Sequence, residues 1–240
     1  MTDQGPIAPK ALLFDVQGTA TDFHSVVCAE AERISAGRHP GVDWVGFVDR
    51  WRGEYFSALR AATVDRDNWT TVHSVYRDAL ERLLPEFGVT DLTEAEREDL
   101  ALAWQRLVPW PDTVPGLTRL KTRYTLATLS NADVAAVVRI SRRGGMPWDA
   151  IFTAEMAGAF KPDPIVYRMA ATYLGLAPSE IMMVASHKYD IRAAAALGFR
   201  TAFVARPLEF GAYGTVDVAY EDEFDINACD FLDLADQLGC

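Results

Sequence analysis

A single carboxylate directly follows a strongly apolar run of the sequence. Leu12-Leu13-Phe14 precedes Asp15, and a Gly18-Thr19 pair follows after two intervening residues. The apolar run predicts a short buried strand over residues 10–16. Open parallel sheets bind ligands at the carboxyl ends of their strands, so we expect Asp15 to face a binding crevice. A carboxylate there can act as a nucleophile, because covalent catalysis divides one difficult displacement into two easier steps.

Polar side chains also follow two further predicted strands and occupy one proline-rich loop. The strands are predicted at Thr125–Leu129 and Met182–Ala185, and the loop spans Ala159–Pro164. Side chains just past neighbouring parallel strands converge on one crevice. We therefore predict a single site that combines Asp15 and Thr19 with Ser130, Asn131, Lys161, Ser186, His187 and Asp190.

The elements that would position this site are of two kinds. Beyond about residue 110, strand and helix patterns alternate, which is typical of a parallel sheet with helices on both faces. Before it, apolar residues recur at helical spacing, for example over residues 47–59. We therefore predict an α/β protein, a Rossmann-like doubly wound parallel sheet core with an inserted α-helical cap. The predicted core domain comprises residues 1–20 and 109–240, and the predicted cap domain comprises residues 21–108.

The composition restricts the partners of the chain. Its 240 residues are 50% hydrophobic, enough for a sizeable core, and the formal net charge is -11. This charge argues against a nucleic-acid partner, because phosphate binding needs a positive surface. No apolar run approaches the roughly 20 residues that span a bilayer, and the first residues lack the pattern of a signal peptide.

The cysteines indicate the compartment in which the protein is expected. Cys28, Cys229 and Cys240 are scattered and lack metal-ligand spacing, which fits a reducing compartment. We expect a cytoplasmic protein with neither a membrane nor a nucleic-acid partner. We assign no residue to a metal ion and expect no cofactor.

Five segments together resemble one known family. The order and spacing are similar to those of the type II 2-haloacid dehalogenase branch of the haloacid dehalogenase superfamily, from about residue 10 to 235. The segment 206–211 (RPLEFG) also resembles members of this branch. The five segments are Phe14-Asp15-x-x-Gly18-Thr19, Asp49-Arg50-Trp51-Arg52, Leu129-Ser130-Asn131, Lys161-Pro162-Asp163-Pro164 and Ala185-Ser186-His187-x-x-Asp190.

The resemblance implies a hydrolase of short 2-substituted carboxylic acids, with an (S)-2-haloacid dehalogenase as the first expectation. Asp15 would attack C2 of the substrate and displace its substituent. Water would then hydrolyse the aspartyl ester and release a 2-hydroxy acid of inverted configuration. The partners implied are a small anionic substrate and water, and relatives of this kind suggest a possible homodimer.

The same resemblance implies roles for the other site residues. Thr19 would hydrogen-bond Asp15, and Lys161 would keep Asp15 ionised. Asp190, together with His187, would orient Lys161 and the hydrolytic water. The remaining candidates would contact the substrate: Ser130 and Asn131 its carboxylate, Arg52 the leaving group, and Gln17 and Ser186 other parts of it.

Gln17 departs from the family pattern. Relatives that act on haloacids usually carry an aromatic residue at this position, and the related phosphatases carry an aspartate. An amide cannot protonate a leaving group at neutral pH, and losing general acid catalysis costs typically 10²–10⁴-fold in rate. A halide leaves as a stable anion without a proton. Gln17 therefore favours displacement of a halide over hydrolysis of a phosphate monoester.

Three other functions remain open. A polar residue at position 17 also suits an L-azetidine-2-carboxylate hydrolase, in which Gln17 would contact the ring amine. A magnesium-dependent small-molecule phosphatase is the third candidate, and a non-enzymatic scaffold is the fourth.

His187 is a second departure from the family pattern, since many haloacid dehalogenases place asparagine there. Its imidazole could help to activate the hydrolytic water.

Overall fold

Six parallel strands form the central sheet of the protein. The structure, a computed structural model, describes residues 8–61 and 69–240. The strand order is β5-β4-β1-β6-β7-β8, with β1 and its two neighbours at the centre. The strands are β1 (Ala11–Phe14), β4 (Thr125–Ser130), β5 (Ala150–Thr153), β6 (Ile181–Ala185), β7 (Arg200–Val204) and β8 (Ile226–Ala228).

Strand β1 is completely buried because both of its faces are covered. Leu12 and Phe14 belong to one hydrophobic cluster, and Ala11 and Leu13 belong to another. Side chains alternate across a strand, so a continuous apolar run is what a strand buried on both faces requires. The last residue, Phe14, pairs with Thr128 of β4 and Val184 of β6. The residues that follow these three strands therefore meet at one edge of the sheet.

Helices cover both faces of this sheet. One cluster packs residues of α5, α6 and α10 against the sheet, and the other packs residues of α8 and α9. Together with the parallel sheet, they confirm the predicted doubly wound α/β fold. The helices of this part are α5 (Thr113–Leu120), α6 (Val134–Gly144), α7 (Ala154–Ala157), α8 (Pro164–Leu174), α9 (Lys188–Ala195) and α10 (Phe231–Gln237).

The remaining helices lie between two very short strands. Strands β2 (Thr21–Asp22) and β3 (Val108–Pro109) pair antiparallel, so the chain leaves the sheet region and returns to it at adjacent points. Between them the apolar faces of the helices pack around aromatic residues, with Tyr76 stacked on Trp104. The helices are α1 (His24–Ser35), α2 (Trp44–Ala61), α3 (Val72–Glu86) and α4 (Glu94–Ala101).

Some elements were not anticipated from the sequence. Strands β2, β3 and β8 have two or three residues, which is too short for a periodic pattern to indicate them. Residues 1–7 of the predicted core and 62–68 of the predicted cap lie outside the described residues. The division into two domains stays a prediction. The helices within residues 8–61 and 69–240 all lack the length of apolar sequence that crossing a membrane requires.

Candidate active site

Asp15 follows β1, and polar partners hold both of its carboxylate oxygens. Lys161 Nζ donates to Oδ1 over 3.0 Å. Oδ2 accepts from Thr19 Oγ1 at 2.9 Å and lies 3.0 Å from Nδ1 of His187. The side chain is almost completely buried. The structure thus brings together Asp15, Thr19, Lys161 and His187, which the sequence placed in one site.

Lys161 uses all three of its ammonium protons inside the protein. Besides Asp15, it donates to the Leu129 carbonyl at 2.8 Å and to Asp190 Oδ2. Tyr167 donates its hydroxyl to the other oxygen of Asp190 at 2.5 Å. The ammonium therefore bridges two buried carboxylates, and Tyr167 fixes the second of them.

These contacts set the protonation of the pair. Burial alone would raise the pKa of Asp15, but the charge of Lys161 and the hydrogen bond from His187 outweigh it and hold this pKa well below its usual range. Burial would lower the pKa of Lys161, yet Asp15 and Asp190 raise it above its usual range. Burial raises the pKa of Asp190, because the attraction of Lys161 only partly offsets desolvation. Asp15 is thus an ionised carboxylate beside a permanent cation.

Asn131 and Ser130 lie at the end of β4, close to Lys161. Asn131 Nδ2 donates to the Lys161 carbonyl at 3.0 Å, and its Oδ1 accepts from the Lys161 amide at 2.7 Å. This reciprocal pair fixes the backbone that carries the ammonium group, a function that sequence reasoning did not anticipate for Asn131. One amide proton of Asn131 remains for another acceptor. Ser130 is buried one residue earlier.

Ser186 and His187 follow β6 and reach the site from the opposite side. The Ser186 amide donates to Thr19 Oγ1 at 3.0 Å, and the two hydroxyl groups are also 3.0 Å apart. His187 Nε2 lies 2.8 Å from Oε1 of Glu209. Sequence reasoning did not place Glu209 or Tyr167 among the site residues. The resemblance of the segment 206–211 to the family is the one sequence signal that points to Glu209.

Arg52 is a buried cation on helix α2. Its Nη1 donates to Gln17 Oε1 at 2.9 Å and to the Tyr76 hydroxyl at 2.6 Å. The guanidinium carbon also lies over aromatic rings, at 4.8 Å from the centroid of Phe23 and 4.5 Å from that of Tyr55. No carboxylate lies within ion-pair distance of Arg52 in the part of the chain that the structure describes. The helical segment therefore places beside Gln17 a positive charge that has no ion-pair partner among the described residues.

A cavity of about 540 Å³ is lined in part by two of the site residues. Asn131 and Lys161 line one side of it, and Phe56, Phe160 and Tyr189 supply apolar surface. Such a mixture of apolar walls and a few polar groups is typical of sites for small organic ligands. Within residues 8–61 and 69–240, no three His, Cys, Asp or Glu side chains form a group that could hold a metal ion.

The fold and the carboxylate–ammonium site define a class of enzyme. The family model described as "Hydrolase: haloacid dehalogenase-like hydrolase" matches residues 9–198. The chain belongs to this family and is a hydrolase.

Three individual proteins illustrate what the chain is similar to. An (S)-2-haloacid dehalogenase of Xanthobacter autotrophicus is 32% identical over 199 residues, which cover 82% of this chain and 75% of that protein. The crystal structure of an L-2-haloacid dehalogenase is similar with a TM-score of 0.89 and 40% identity, covering 96% of this chain and 100% of the other. A defluorinating L-2-haloacid dehalogenase has a TM-score of 0.90 and 38% identity, covering 97% and 96%.

Proposed function

We propose that this chain hydrolyses (S)-2-haloacids through an ester of Asp15 and needs no metal ion. The observation that carries the proposal is the contact of 3.0 Å between the Asp15 carboxylate and the buried Lys161 ammonium group. This ammonium keeps the carboxylate charged and gives it the cation that a metal would otherwise supply. The names of the relatives support the same substrate class.

In the first step, Asp15 attacks C2 of the substrate. Oδ2 already accepts from Thr19 and contacts His187, whereas Oδ1 contacts only Lys161 among the described residues. We therefore assign the attack to Oδ1, because fewer of its lone pairs are used in hydrogen bonds. The new C–O bond forms as the carbon–halogen bond breaks, and the halide leaves with the bonding electrons. We assign to Arg52 the stabilisation of that developing anion.

In the second step, water attacks the carboxyl carbon of the Asp15 ester. The ester oxygen then departs with the product as its 2-hydroxyl group, and the water oxygen remains in Asp15. Lys161, held by Asp190 and Leu129, contacts Oδ1 until this oxygen departs with the product, and the water-derived oxygen then takes its place beside the ammonium group. The enzyme returns to its starting state, because the regenerated carboxylate is again stabilised by the ammonium group.

The surroundings of Gln17 favour a halide over the two rival leaving groups. Its carbonyl accepts from Arg52, so one of the two lone pairs that could bind a ring amine is used and the other lies beside a cation. The neighbouring guanidinium would also repel the cationic amine of azetidine-2-carboxylate. A phosphate monoester would lack general acid catalysis at position 17, as the sequence indicates.

Halide release tests the proposal directly. We expect the protein to release chloride from (S)-2-chloropropionate in the presence of a chelator, with much slower turnover of the (R) enantiomer. Asp15→Asn should abolish release, while Asp78→Asn, an exposed carboxylate on helix α3, should leave it unchanged. Fluoroacetate, azetidine-2-carboxylate and a phosphate monoester complete the substrate panel.

Isotopic labelling tests the ester itself. After a single turnover in ¹⁸O-water, the peptide that contains Asp15 should carry the label and the 2-hydroxy acid should not. Label in the product alone would mean direct attack of water on C2. Chloride release that requires added magnesium would contradict the role given to Lys161. The homodimer and the cytoplasmic location stay predictions.

A further inference from the structure

His187 lies between two carboxylates. Its Nδ1 is 3.0 Å from Asp15 Oδ2, and its Nε2 is 2.8 Å from Glu209 Oε1. A carboxylate oxygen can only accept a hydrogen bond, so both contacts are favourable only when both ring nitrogens carry a proton. The ring is then a cation. A doubly protonated ring has no lone pair with which to take a proton from water, contrary to the water-activating role expected from the sequence.

The backbone around Glu209 leaves room for this carboxylate. Gly18 has a φ of +92°, and a Cβ at this position would lie 2.4 Å from Glu209 Oε1. The backbone conformation therefore favours glycine at position 18, and a side chain there would displace the Glu209 carboxylate. Arg206, three residues before Glu209, donates from Nε to the Thr19 carbonyl at 2.7 Å. The loop that carries Glu209 is thus tied to the loop that carries Asp15.

We infer that Glu209 is a positioning residue that holds His187 as a cationic hydrogen-bond donor to the oxyanion formed at Asp15 Oδ2. This inference rests on the proposed function, in which Oδ1 carries the substrate and Oδ2 becomes the carbonyl oxygen of the ester. Thr19 Oγ1, at 2.9 Å from Oδ2, is the second donor. Two preorganised donors at an oxygen that gains charge form an oxyanion hole.

All protons and bonds in the hydrolysis of the Asp15 ester are accounted for without a proton transfer to His187. The water oxygen bonds to the Asp15 carboxyl carbon and passes one proton to neighbouring solvent water, and the carbonyl electron pair moves onto Oδ2. The electron pair on Oδ2 then re-forms the carbonyl bond, and the bond from the carboxyl carbon to Oδ1 breaks. The second proton of the attacking water goes to the departing alkoxide, which becomes the 2-hydroxyl group. Asp15 is a carboxylate again, and His187 has kept both protons.

The charges around His187 come from several elements. Asp15 follows β1, Glu209 lies in the loop after β7, and Tyr189 on α9 has its ring centroid 5.9 Å from that of His187. Lys161 lies behind Asp15. Burial would lower the pKa of His187, but Glu209 and Asp15 raise it well above its usual value. When Asp15 becomes a neutral ester, Glu209 is the one carboxylate in contact with the ring among the described residues.

Single-turnover kinetics separate the two steps. We would mix excess enzyme with (S)-2-chloropropionate, stop the reaction at intervals, and measure chloride and the mass of the intact protein. His187→Leu should release one equivalent of chloride at close to the normal rate but hydrolyse the ester about 10²-fold more slowly, so the adduct accumulates. Glu209→Gln should slow hydrolysis about tenfold, because a neutral N–H donor is weaker than a charged one. Glu86→Gln, an exposed glutamate at the end of α3, is the matched control.

The pH profile of ester hydrolysis distinguishes a donor from a base. A group with a raised pKa is protonated below that pKa, so the wild type should lose activity only as the pH rises through it. Glu209→Gln should move this alkaline limb toward lower pH. ¹⁵N NMR of His187 should find both ring nitrogens protonated in the wild type at pH 7, with deprotonation at lower pH in Glu209→Gln.

Three results would overturn the inference. The first is a loss of ester hydrolysis in acid, which marks a general base. The second is a neutral His187 ring in the wild type at pH 7. The third is slower chloride release without adduct in both variants, which would place His187 in the displacement step. Failure of the proposed function is distinguishable, since the wild type itself would then yield neither chloride nor adduct, and both proposals would fall.

Discussion

At the scale of single residues, the site is a compensated set of buried charges. Three carboxylates, Asp15, Asp190 and Glu209, contact Lys161 or His187. Isolated buried charges cost several kcal/mol each, so every member of the set depends on its neighbours. Arg52 is the exception, because its partners are an amide, a hydroxyl group and aromatic rings. We attribute the lack of an ion-pair partner to the proposed role of Arg52 as an anion binder.

Lys161→Met tests the dependence of Asp15 on its cation. Because the ammonium group holds the Asp15 pKa well below its usual range, the wild type should show no acid limb from Asp15 above about pH 4. Without the ammonium group, burial raises this pKa, so an acid limb should move into the assay range and activity should fall at least 10³-fold. The pH dependence of kcat/KM for chloride release measures both effects. Lys121→Met, which removes an exposed ion pair with Asp149, is the control.

Gln17→Glu tests the charge of Arg52 at nearly constant shape. A carboxylate in place of the Gln17 amide would pair with the guanidinium 2.9 Å away and cancel its charge. We expect kcat to fall at least tenfold and inhibition by added bromide to weaken. Gln17→Leu removes the hydrogen bond but keeps the charge, and it should retain more bromide inhibition. Unchanged bromide inhibition in Gln17→Glu would contradict the role of Arg52.

At the scale of elements, one loop links the sheet to the helices of the segment 24–101. The Asp133 carboxylate accepts from the first amides of α3, Val72 at 2.7 Å and His73 at 2.8 Å. Tyr55 of α2 donates to the Asn131 carbonyl at 2.7 Å. The same loop fixes Lys161 through Asn131, so the position of α2 and α3 and the position of the ammonium group depend on one stretch of backbone.

Asp133→Ala should therefore affect both stability and substrate binding. Loss of the acceptor for the first amides of a helix should cost as much as loss of a cap, typically about 1 kcal/mol, and we expect a decrease of this size in the free energy of unfolding. KM should rise at the same time, because the loop that holds Asn131 and Lys161 loses its attachment to α3. Thr93→Ala, which removes the cap of α4, should cost similar stability without changing KM. Denaturant unfolding and steady-state kinetics on both variants test the difference.

At the scale of the whole molecule, Arg206 joins distant parts of the chain. It forms two hydrogen bonds of 2.8 Å to Asp112 and one of 2.7 Å to the Thr19 carbonyl, and Asp112 also accepts from the Phe231 amide at 2.9 Å. The ion pair thus connects the segment after β1, the start of α5, the end of β7 and the start of α10. It also anchors the loop that carries Glu209.

Arg206→Met should destabilise the protein by about 3 kcal/mol at pH 7, since it leaves a largely buried carboxylate without its partner. Burial would raise the pKa of Asp112, but Arg206 lowers it below its usual value. A carboxylate with a lowered pKa stabilises the fold above the pKa it has when unfolded, about 3.9, and this stability is lost as the pH falls. The difference between wild type and variant should therefore shrink between pH 5 and pH 3 in thermal unfolding. Arg33→Met, which breaks an exposed ion pair, should cost at most about 1 kcal/mol.

The sequence by itself was sufficient to predict the alternation of strands and helices and to identify the proposed nucleophile. A continuous apolar run is the requirement of a strand buried on both faces, and Asp15 follows such a run. Parallel strands end at one edge, so the convergence of Asp15, Lys161 and His187 could also be predicted. Strand β8 could not be predicted, because three residues give no periodic signal.

Only the tertiary structure decided what each polar group contacts. Glu209 and Tyr167 meet the site from segments distant in sequence, and no local pattern distinguishes a buried carboxylate from an exposed one. The pairing of Asn131 with the Lys161 backbone and of Gln17 with Arg52 depends on distances across the fold. The protonation of His187 depends on them too, because two carboxylates reach its ring from separate loops. Residue types indicate which groups can react, whereas the packing of the chain determines the charge that each group carries.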